Sequence, residues 1–132
     1  MPVAASVSLS NVQELARLQE TLESVCAQRG VPGDAQIEVA TALEEVVVNS
    51  FKHGHASEVS VAIQLDGGEL VLELRDDAPA FNPLDVPPPD LGAPLAERPI
   101  GGLGVHLVKN LTDAQDYRRE GGKNVLVLRK RY

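Results

Sequence analysis

Glu45 and Asn49 are the first residues of this sequence that could do chemistry together. They lie four residues apart, on either side of the apolar run 46–48. On a helix, two such side chains project from the same face. Burying a carboxylate is costly unless it is compensated, so the pair either belongs to a solvent-facing polar stripe or faces a cleft. In a cleft, Glu45 could act as a base and Asn49 could offer an oxygen to a hard cation such as Mg²⁺.

A second candidate lies where a predicted strand ends, in the segment Asp-Asp-Ala-Pro-Ala-Phe-Asn-Pro at 76–83. A carboxylate at the end of a strand, here Asp76, could accept a hydrogen bond from an exocyclic amine. The alternative is an ordinary turn from strand to loop, where Asp and Pro are common. Taken alone, the segment favours neither interpretation.

The third candidate is the run Gly-Gly-Leu-Gly at 101–104, which precedes a predicted helix. Glycines let backbone N–H groups approach a ligand, and a helix N-terminus favours an anion. The run is not a P-loop, because no Gly-Lys-Ser/Thr follows it. It is not a dinucleotide fingerprint either, because a proline-rich loop precedes it rather than a strand. The alternative is a flexible end to that loop.

The surrounding pattern predicts a single domain over residues 1–132, in the order β-α-α-β-β-loop-α-β-β. Apolar residues at helical spacing predict helices after residue 11, over 35–53 and after 101, and alternation predicts the strands 3–9, 58–65, 70–76, 114–120 and 124–130. Antiparallel strands with helices gathered on one face indicate an α+β fold, a two-layer α/β sandwich. Residues 78–100 hold seven of the nine prolines, and such a long loop is typical of a lid or binding loop.

Composition limits the classes of protein to consider. The chain has 132 residues, 43% of them hydrophobic and 23% charged, as in an ordinary globular domain. Its one cysteine, Cys26, can make no internal disulfide, and we expect it to be a small core residue. The longest apolar runs are far shorter than the ~20 residues that cross a bilayer, so we expect no membrane association. With no secretory signal in 1–10, we expect a cytoplasmic protein.

The charge is negative overall, −7, but unevenly distributed. Six of the twelve basic residues lie in 118–132, where the only acidic residue is Glu120. Because a duplex-binding domain usually carries the opposite excess, we expect no direct contact with nucleic acid. The basic end fits either a patch for a partner or, our preferred interpretation, a solvated strand edge protected by charge.

In their order and spacing, the three candidates resemble the N, G1 and G2 boxes of the GHKL ATP-binding fold. The matching segments are Glu-x-x-x-Asn-x-x-x-His at 45–53, Asp-Asp-x-x-x-Phe-Asn-Pro at 76–83 and Gly-Gly-Leu-Gly-Val-His-Leu-Val at 101–108. The short length of the chain and the sequence Phe-Asn-Pro at 81–83 narrow the resemblance to the anti-sigma-factor serine-protein kinases of bacterial partner-switching systems. The resemblance covers nearly the whole chain.

This resemblance implies roles for residues in the first two boxes. Glu45 matches the general base that takes the proton from a serine hydroxyl, and Asn49 matches the Mg²⁺ ligand that bridges to the phosphates. Asp76 matches the aspartate that receives the adenine amino group. His53 matches a frequent N-box histidine, for which a capping or packing role is at least as plausible as contact with ATP.

The resemblance also places nucleotide contacts elsewhere in the chain. Gly102 and Gly104, with Leu103 between them, match the phosphate loop, and the loop 78–100 matches the ATP lid. Arg98 and Lys109 match the family more loosely and could meet the phosphates.

Ala78 departs from the family pattern, because it stands where the family has glycine in Asp-x-Gly. If this position required a positive φ, alanine would cost on the order of 1 kcal/mol. If the backbone had to lie close to adenine, the methyl group would intrude. Either effect would lower the affinity for nucleotide, unless the turn has adjusted to the methyl group.

The resemblance implies a protein-serine kinase that uses ATP, yields ADP and requires Mg²⁺. It would bind a sigma factor and phosphorylate a serine of an antagonist, a sulfate-transporter-and-anti-sigma-like (STAS) domain, and it would form a homodimer. The alternative is a GHKL module that binds nucleotide poorly and regulates a partner by contact alone. Kinase activity toward a client other than a sigma factor is also open.

Overall fold

The computed structural model of the protein describes residues 3–85 and 102–132. Five strands form one antiparallel sheet in the order β1-β2-β3-β5-β4. The strands are β1 (Ala5–Leu9), β2 (Val59–Asp66), β3 (Glu69–Asp76), β4 (Ala114–Glu120) and β5 (Lys123–Arg131). The helices are α1 (Leu15–Arg29), α2 (Gly33–Lys52) and α3 (Gly102–Leu111), with short 3₁₀ turns at Val12–Glu14 and Pro83–Asp85.

The predicted α+β architecture is confirmed, and strand alternation explains it. Val7 faces Val61, which faces Leu74, which faces Leu126, so one row of buried side chains crosses four strands. These residues belong to one core cluster with buried residues of α1, α2 and α3, such as Leu18. The helices therefore cover one face of the sheet.

Two glycine pairs set the register of the hairpins. Gly67 and Gly68 connect β2 to β3 with φ of 54° and 85°, and Gly121 and Gly122 connect β4 to β5 with φ of 57° and 76°. Two-residue turns with positive φ at both positions match the right-handed twist of the strands and favour glycine. Both turns lie where the sequence predicts them, and they fix which residues face each other across the strands.

The helix starts differ in detail from the prediction. The second helix begins at Gly33, two residues before the predicted start, because Pro32 ends the preceding extended segment. Asp34 lies in the first turn of α2, where its Oδ1 accepts the N–H of Ala35. Before α1, Glu14 accepts the N–H of Ser10 at 3.3 Å, while the side chain of Asn11 makes no capping hydrogen bond.

The basic C-terminal strands are matched by acidic residues on the sheet face that the helices leave open. Glu73 pairs with Arg75 at 2.8 Å and with Arg118 at 3.0 Å, and Glu69 pairs with Arg129 at 2.8 Å. Exposed pairs of this kind add little stability individually. Of the strands that carry these pairs, only β4 lies at an edge of the described sheet, so the charged strand edge stays a prediction.

Cys26 is fully buried in α1, as expected for a core residue, and burial raises the pKa of its thiol. Of the described helices, none combines the length and the apolar character that a bilayer span requires.

Candidate functional site

The candidate base and metal ligand lie on α2, one turn apart. Glu45 and Asn49 are both half-buried, so neither is sealed in the core nor fully in solvent. Within the described part of the chain, neither side chain has a hydrogen-bond partner. One helical turn separates them by about 6 Å along the axis. Both side chains are therefore available to a ligand that lies against this face of α2.

Glu44, the neighbouring carboxylate, belongs to a different surface. It is exposed and lies at a shallow groove between α1 and α2, lined also by Leu15, Ala16, Gln19, Ile37, Ala40 and Thr41. Consecutive helical residues point about 100° apart. The surroundings of Glu44 thus separate it from Glu45 and Asn49.

Asp76 ends β3 and connects that strand to α2. The Oγ of Ser50 lies 3.3 Å from Oδ2 of Asp76 and 3.0 Å from the carbonyl oxygen of Val46. Ser50 directly follows Asn49 in the helix. The fold therefore brings the candidate metal ligand and the candidate adenine acceptor, 27 positions apart in sequence, to one end of the sheet.

Ala78 adopts no strained conformation. Its N–H donates to Oδ1 of Asp76 at 3.0 Å, which closes a tight turn at the end of the strand. Among the described residues other than glycine, only His55 has a positive φ. The alanine is 4% exposed, so its methyl group packs against the protein. The condition under which alanine would be strained here is therefore not met.

Asn124, on β5, is a residue of this site that the sequence patterns did not single out. It is 6% exposed and faces Asp76 directly across the strands. Its Nδ2 donates to Oδ1 of Asp76 at 2.9 Å. A signal was available, since Asn124 alternates with Leu126 and Leu128, and a polar residue in such a series is expected on the buried face.

Asp77 fastens the same turn to the start of β2. Its carboxylate accepts the hydroxyl of Ser57 and the N–H groups of Ser57 and Glu58, the latter two at 2.8 and 3.1 Å. These hydrogen bonds, led by that of the Ser57 hydroxyl, lower the pKa of Asp77 to about 2. Of the neighbouring carboxylates Asp76 and Asp77, it is Asp77 that holds the loop preceding β2.

His53 follows the last residue of α2 and is exposed. Its N–H and that of Gly54 both donate to the carbonyl oxygen of Asn49 at 2.9 Å. A Cβ at Gly54 would lie 2.9 Å from the carbonyl oxygen of Ser50, so glycine is required by close packing. The bond from His53 is a backbone bond that any residue could make, so the role of its side chain stays a prediction.

The third candidate segment lies beside α2. Gly102, Leu103 and Gly104 form the first turn of α3, and α3 packs against α2. The first backbone N–H groups of a helix have no partner within it and favour an anion. Gly101, Arg98 and the remainder of the predicted lid from residue 86 onward lie outside the described residues.

Lys109 is exposed on α3, and its Nζ donates to the carbonyl oxygen of Leu84 at 3.0 Å. It therefore ties α3 to the 3₁₀ turn 83–85, which lies within the first part of the predicted lid 78–100. A contact with phosphate would require Lys109 to exchange this carbonyl for the ligand.

In residues 3–85 and 102–132, no three His, Cys, Asp or Glu side chains cluster in a way that could hold a metal ion. This is compatible with a Mg²⁺ site of the nucleotide type, because Mg²⁺ usually keeps several waters and binds one or two protein oxygens plus phosphate. The oxygen of Asn49, half-buried and unpaired within this range, fits that requirement.

Comparison with known proteins gives the family. Residues 9–130 match the model of the histidine kinase-like ATPase domain. The serine/threonine-protein kinase BtrW of Bordetella bronchiseptica is 29% identical over 87 residues, which cover 66% of this chain and 61% of that protein. The chain therefore spans less than two thirds of this relative.

Two solved structures share the fold. The RsbU and RsbW domains of Rv1364c from Mycobacterium tuberculosis superpose with a TM-score of 0.67 at 15% identity, over 97% of this chain and 32% of that one. The histidine kinase AdeS of Acinetobacter baumannii superposes with a TM-score of 0.53 at 14% identity, over 99% and 68%. At these identities the likeness concerns the fold, which is that of GHKL-type ATPase domains as the sequence predicted.

Proposed function

The chain belongs to the histidine kinase-like ATPase domain family, and from this premise we propose that it is an ATP-dependent protein-serine kinase. The contact between Ser50 and Asp76 carries the proposal, because Ser50 directly follows Asn49 on α2 and lies 3.3 Å from the strand-end carboxylate. The relative BtrW, which is named as a serine/threonine-protein kinase, supports the same activity.

ATP is the proposed phosphate donor, with the adenine at Asp76 and the phosphates at the first turn of α3. The carboxylate of Asp76 would accept the exocyclic amine of the base, and the N–H groups from Gly102 onward would face the phosphates. Asn49 would hold a Mg²⁺ ion through its side-chain oxygen. When bound, Mg²⁺ neutralises charge on the phosphates, which is the main electrostatic requirement of phosphoryl transfer.

Glu45 is the proposed general base. It would take the proton of a serine hydroxyl as that oxygen attacks the terminal phosphate of ATP, and ADP would leave. Its position one turn before Asn49 puts the base next to the proposed metal ligand. The groove-lining Glu44 lies on another side of the helix and is not proposed for this role.

The proposed substrate is a serine of a STAS-domain antagonist, and the proposed client is a sigma factor. The family resemblance of the boxes at 45–53, 76–83 and 101–108 supports this assignment, as does the RsbW domain named in the Mycobacterium tuberculosis structure. In such a switch, the protein would hold the client until the unphosphorylated antagonist competes for it. Phosphorylation of the antagonist would then reset the switch.

Phosphate transfer tests this proposal. Purified protein is incubated with γ-labelled ATP, Mg²⁺ and a STAS-domain protein from the same organism, beside a copy of that protein whose acceptor serine is alanine. We expect label on the first protein and none on the second. If nucleotide binds but no label appears on any STAS-domain protein tested, the kinase proposal is wrong. A protein that then still bound its client would be the binding module considered above.

A homodimer is the proposed state of the free protein. Among the described strands, β1 lies at one edge of the sheet, and such an edge pairs readily with a second chain. Val3, just before this strand, is 50% exposed. Light scattering on the protein alone should give about twice the chain mass of 14.1 kDa. A monomer mass at micromolar concentration would contradict the dimer.

A further inference from the structure

Asn124 is the most heavily hydrogen-bonded side chain near Asp76. Its Nδ2 faces three acceptors: Oδ1 of Asp76 at 2.9 Å and the carbonyl oxygens of Pro79 and Ala78 at 3.0 and 3.4 Å. Because Asn124 is 6% exposed, water does not compete for these contacts.

The other end of the same amide faces only donors. The Oδ1 of Asn124 accepts the hydroxyl of Tyr117 at 2.6 Å, the guanidinium of Arg119 at 3.1 Å and the N–H of Phe81 at 3.2 Å. A flipped amide would lose every contact except that with the Tyr117 hydroxyl, which can also accept a hydrogen bond. The orientation of Asn124 is therefore fixed by its neighbours.

This arrangement determines how Asp76 is presented. Its Oδ1 receives two N–H donors, one from Asn124 and one from the backbone of Ala78. Its Oδ2 contacts only the hydroxyl of Ser50, at 3.3 Å, among the described residues. A carboxylate held by two donors on one oxygen cannot rotate without breaking both bonds, so the second oxygen keeps a fixed direction.

We propose that Asn124 is a positioning residue that makes the site selective for a 6-aminopurine, by fixing the rotation of the Asp76 carboxylate. The proposal deepens the proposed function and rests on it, since it assumes that a purine nucleotide binds at Asp76. Asn124 does not touch the base in this account; it acts through Asp76.

The chemistry of the purine edge explains why fixed rotation gives selectivity. Adenine presents an amine at position 6, which donates to a carboxylate. Hypoxanthine presents a carbonyl oxygen there, which a carboxylate repels, but it carries an N1–H donor next to it. A carboxylate free to rotate can turn toward that N1–H, whereas a fixed one is left facing the carbonyl, and an unmatched buried polar pair is costly.

Calorimetric titrations with Mg·ADP and Mg·IDP test this proposal on the full chain. We expect wild type to prefer ADP by about tenfold or more. Asn124→Val removes the donor to Asp76 without adding a charge beside it. In this variant we expect the preference to fall to within about threefold, with ADP weakened more than IDP.

A matched control separates positioning from general loosening. Tyr117→Phe removes the hydroxyl bonded to Oδ1 of Asn124 and leaves the bond from Asn124 to Asp76. It should keep the wild-type ratio of the two dissociation constants. If N124V does not fold, Asn124→Leu, which is closer in shape to asparagine, removes the same donor and should lose the preference in the same way.

The outcomes distinguish the role of Asn124 in purine selectivity from the proposed kinase function. No binding of either nucleotide by wild type would overturn the proposed function itself. Binding of ADP and IDP with equal affinity by wild type would overturn the selectivity inference alone. So would an unchanged ratio in a folded N124V or N124L, or an equal loss of preference in Y117F.

Discussion

Asp76 and Asn124 face each other across strands β3 and β5, with the amide nitrogen of Asn124 2.9 Å from Oδ1 of the aspartate. The other oxygen of Asp76 lies 3.3 Å from the hydroxyl of Ser50 on α2. A single carboxylate thus connects the last hairpin of the sheet to the helix that carries Glu45 and Asn49. Substitutions in the last hairpin or in α2 should therefore affect the same site.

Substitutions at Glu45 and Asn49 should separate chemistry from binding. Glu45→Gln keeps the shape and removes the basicity, so phosphorylation of the antagonist should fall by roughly 10²–10⁴-fold, the usual scale for a general base. Binding of nucleotide and client should survive. Asn49→Ala should instead weaken Mg·ATP binding, because it removes a metal ligand. Labelled-phosphate transfer and calorimetry measure the two effects.

Glu44→Gln is the matched control, because Glu44 faces the groove between α1 and α2. It should transfer phosphate at the wild-type rate. Wild-type transfer by E45Q would show that the base is another group. Loss of client binding by folded E45Q and N49A would identify this helix face as a protein interface and favour the binding module.

Ala78→Gly should not tighten nucleotide binding. Ala78 has no positive φ, and its methyl group is packed against the protein, so glycine relieves no strain. Glycine also makes the unfolded chain more flexible, and we expect a loss of about 1 kcal/mol in the free energy of unfolding. Urea unfolding and calorimetry with Mg·ADP give the two numbers. Tighter binding by A78G would mean that the methyl group obstructs the nucleotide.

Asp77 should make stability depend on acid pH. Its pKa is lowered from 3.8 to about 2 in the folded protein, so the ionised carboxylate stabilises the fold above about pH 4. That contribution should be lost as the pH falls from about 4 to about 2. Urea unfolding of wild type and Asp77→Asn across this range should show the difference between them shrinking toward low pH. Parallel curves would contradict the assignment.

Gly54→Ala should destabilise the end of α2. A Cβ there would lie 2.9 Å from the carbonyl oxygen of Ser50, and a backbone atom cannot easily move aside. We expect a loss of about 1–3 kcal/mol in the free energy of unfolding, the usual cost of such overpacking. The control is Gly33→Ala, where a Cβ would meet no atom within 4 Å. Equal stability of G54A and G33A would contradict the packing argument.

The elements of this fold are predictable because their signals are local. Helical spacing of apolar residues and paired glycines, such as Gly121 and Gly122, identify helices and hairpins without knowledge of the rest of the chain. The partners of Asn124 and Asp77 are not local. Asn124 meets Asp76 through the register of β3 and β5. Asp77 binds a loop 19 or 20 positions away in the sequence. Such contacts are visible only in the folded protein.

The conformation of Ala78 shows the same limit from another side. Its position in a family pattern suggests a need for glycine, but φ is decided by the hydrogen bonds that hold the turn. In this chain the turn is held by hydrogen bonds to the side chains of Asp76 and Asn124. Asn124 lies outside the three boxes at 45–53, 76–83 and 101–108. Sequence patterns therefore predict which segments meet at the site better than they predict the backbone conformation of each residue there.

Titration with Mg·ADP is the decisive measurement, because the kinase activity and the purine selectivity both assume that the cleft between α2, the turn after Asp76 and the start of α3 binds nucleotide. We predict saturable binding at one site per chain in wild type, and a loss of at least about tenfold in affinity in Asp76→Asn, which removes a charged acceptor for the base. Absence of both heat and thermal shift at millimolar nucleotide would contradict the account.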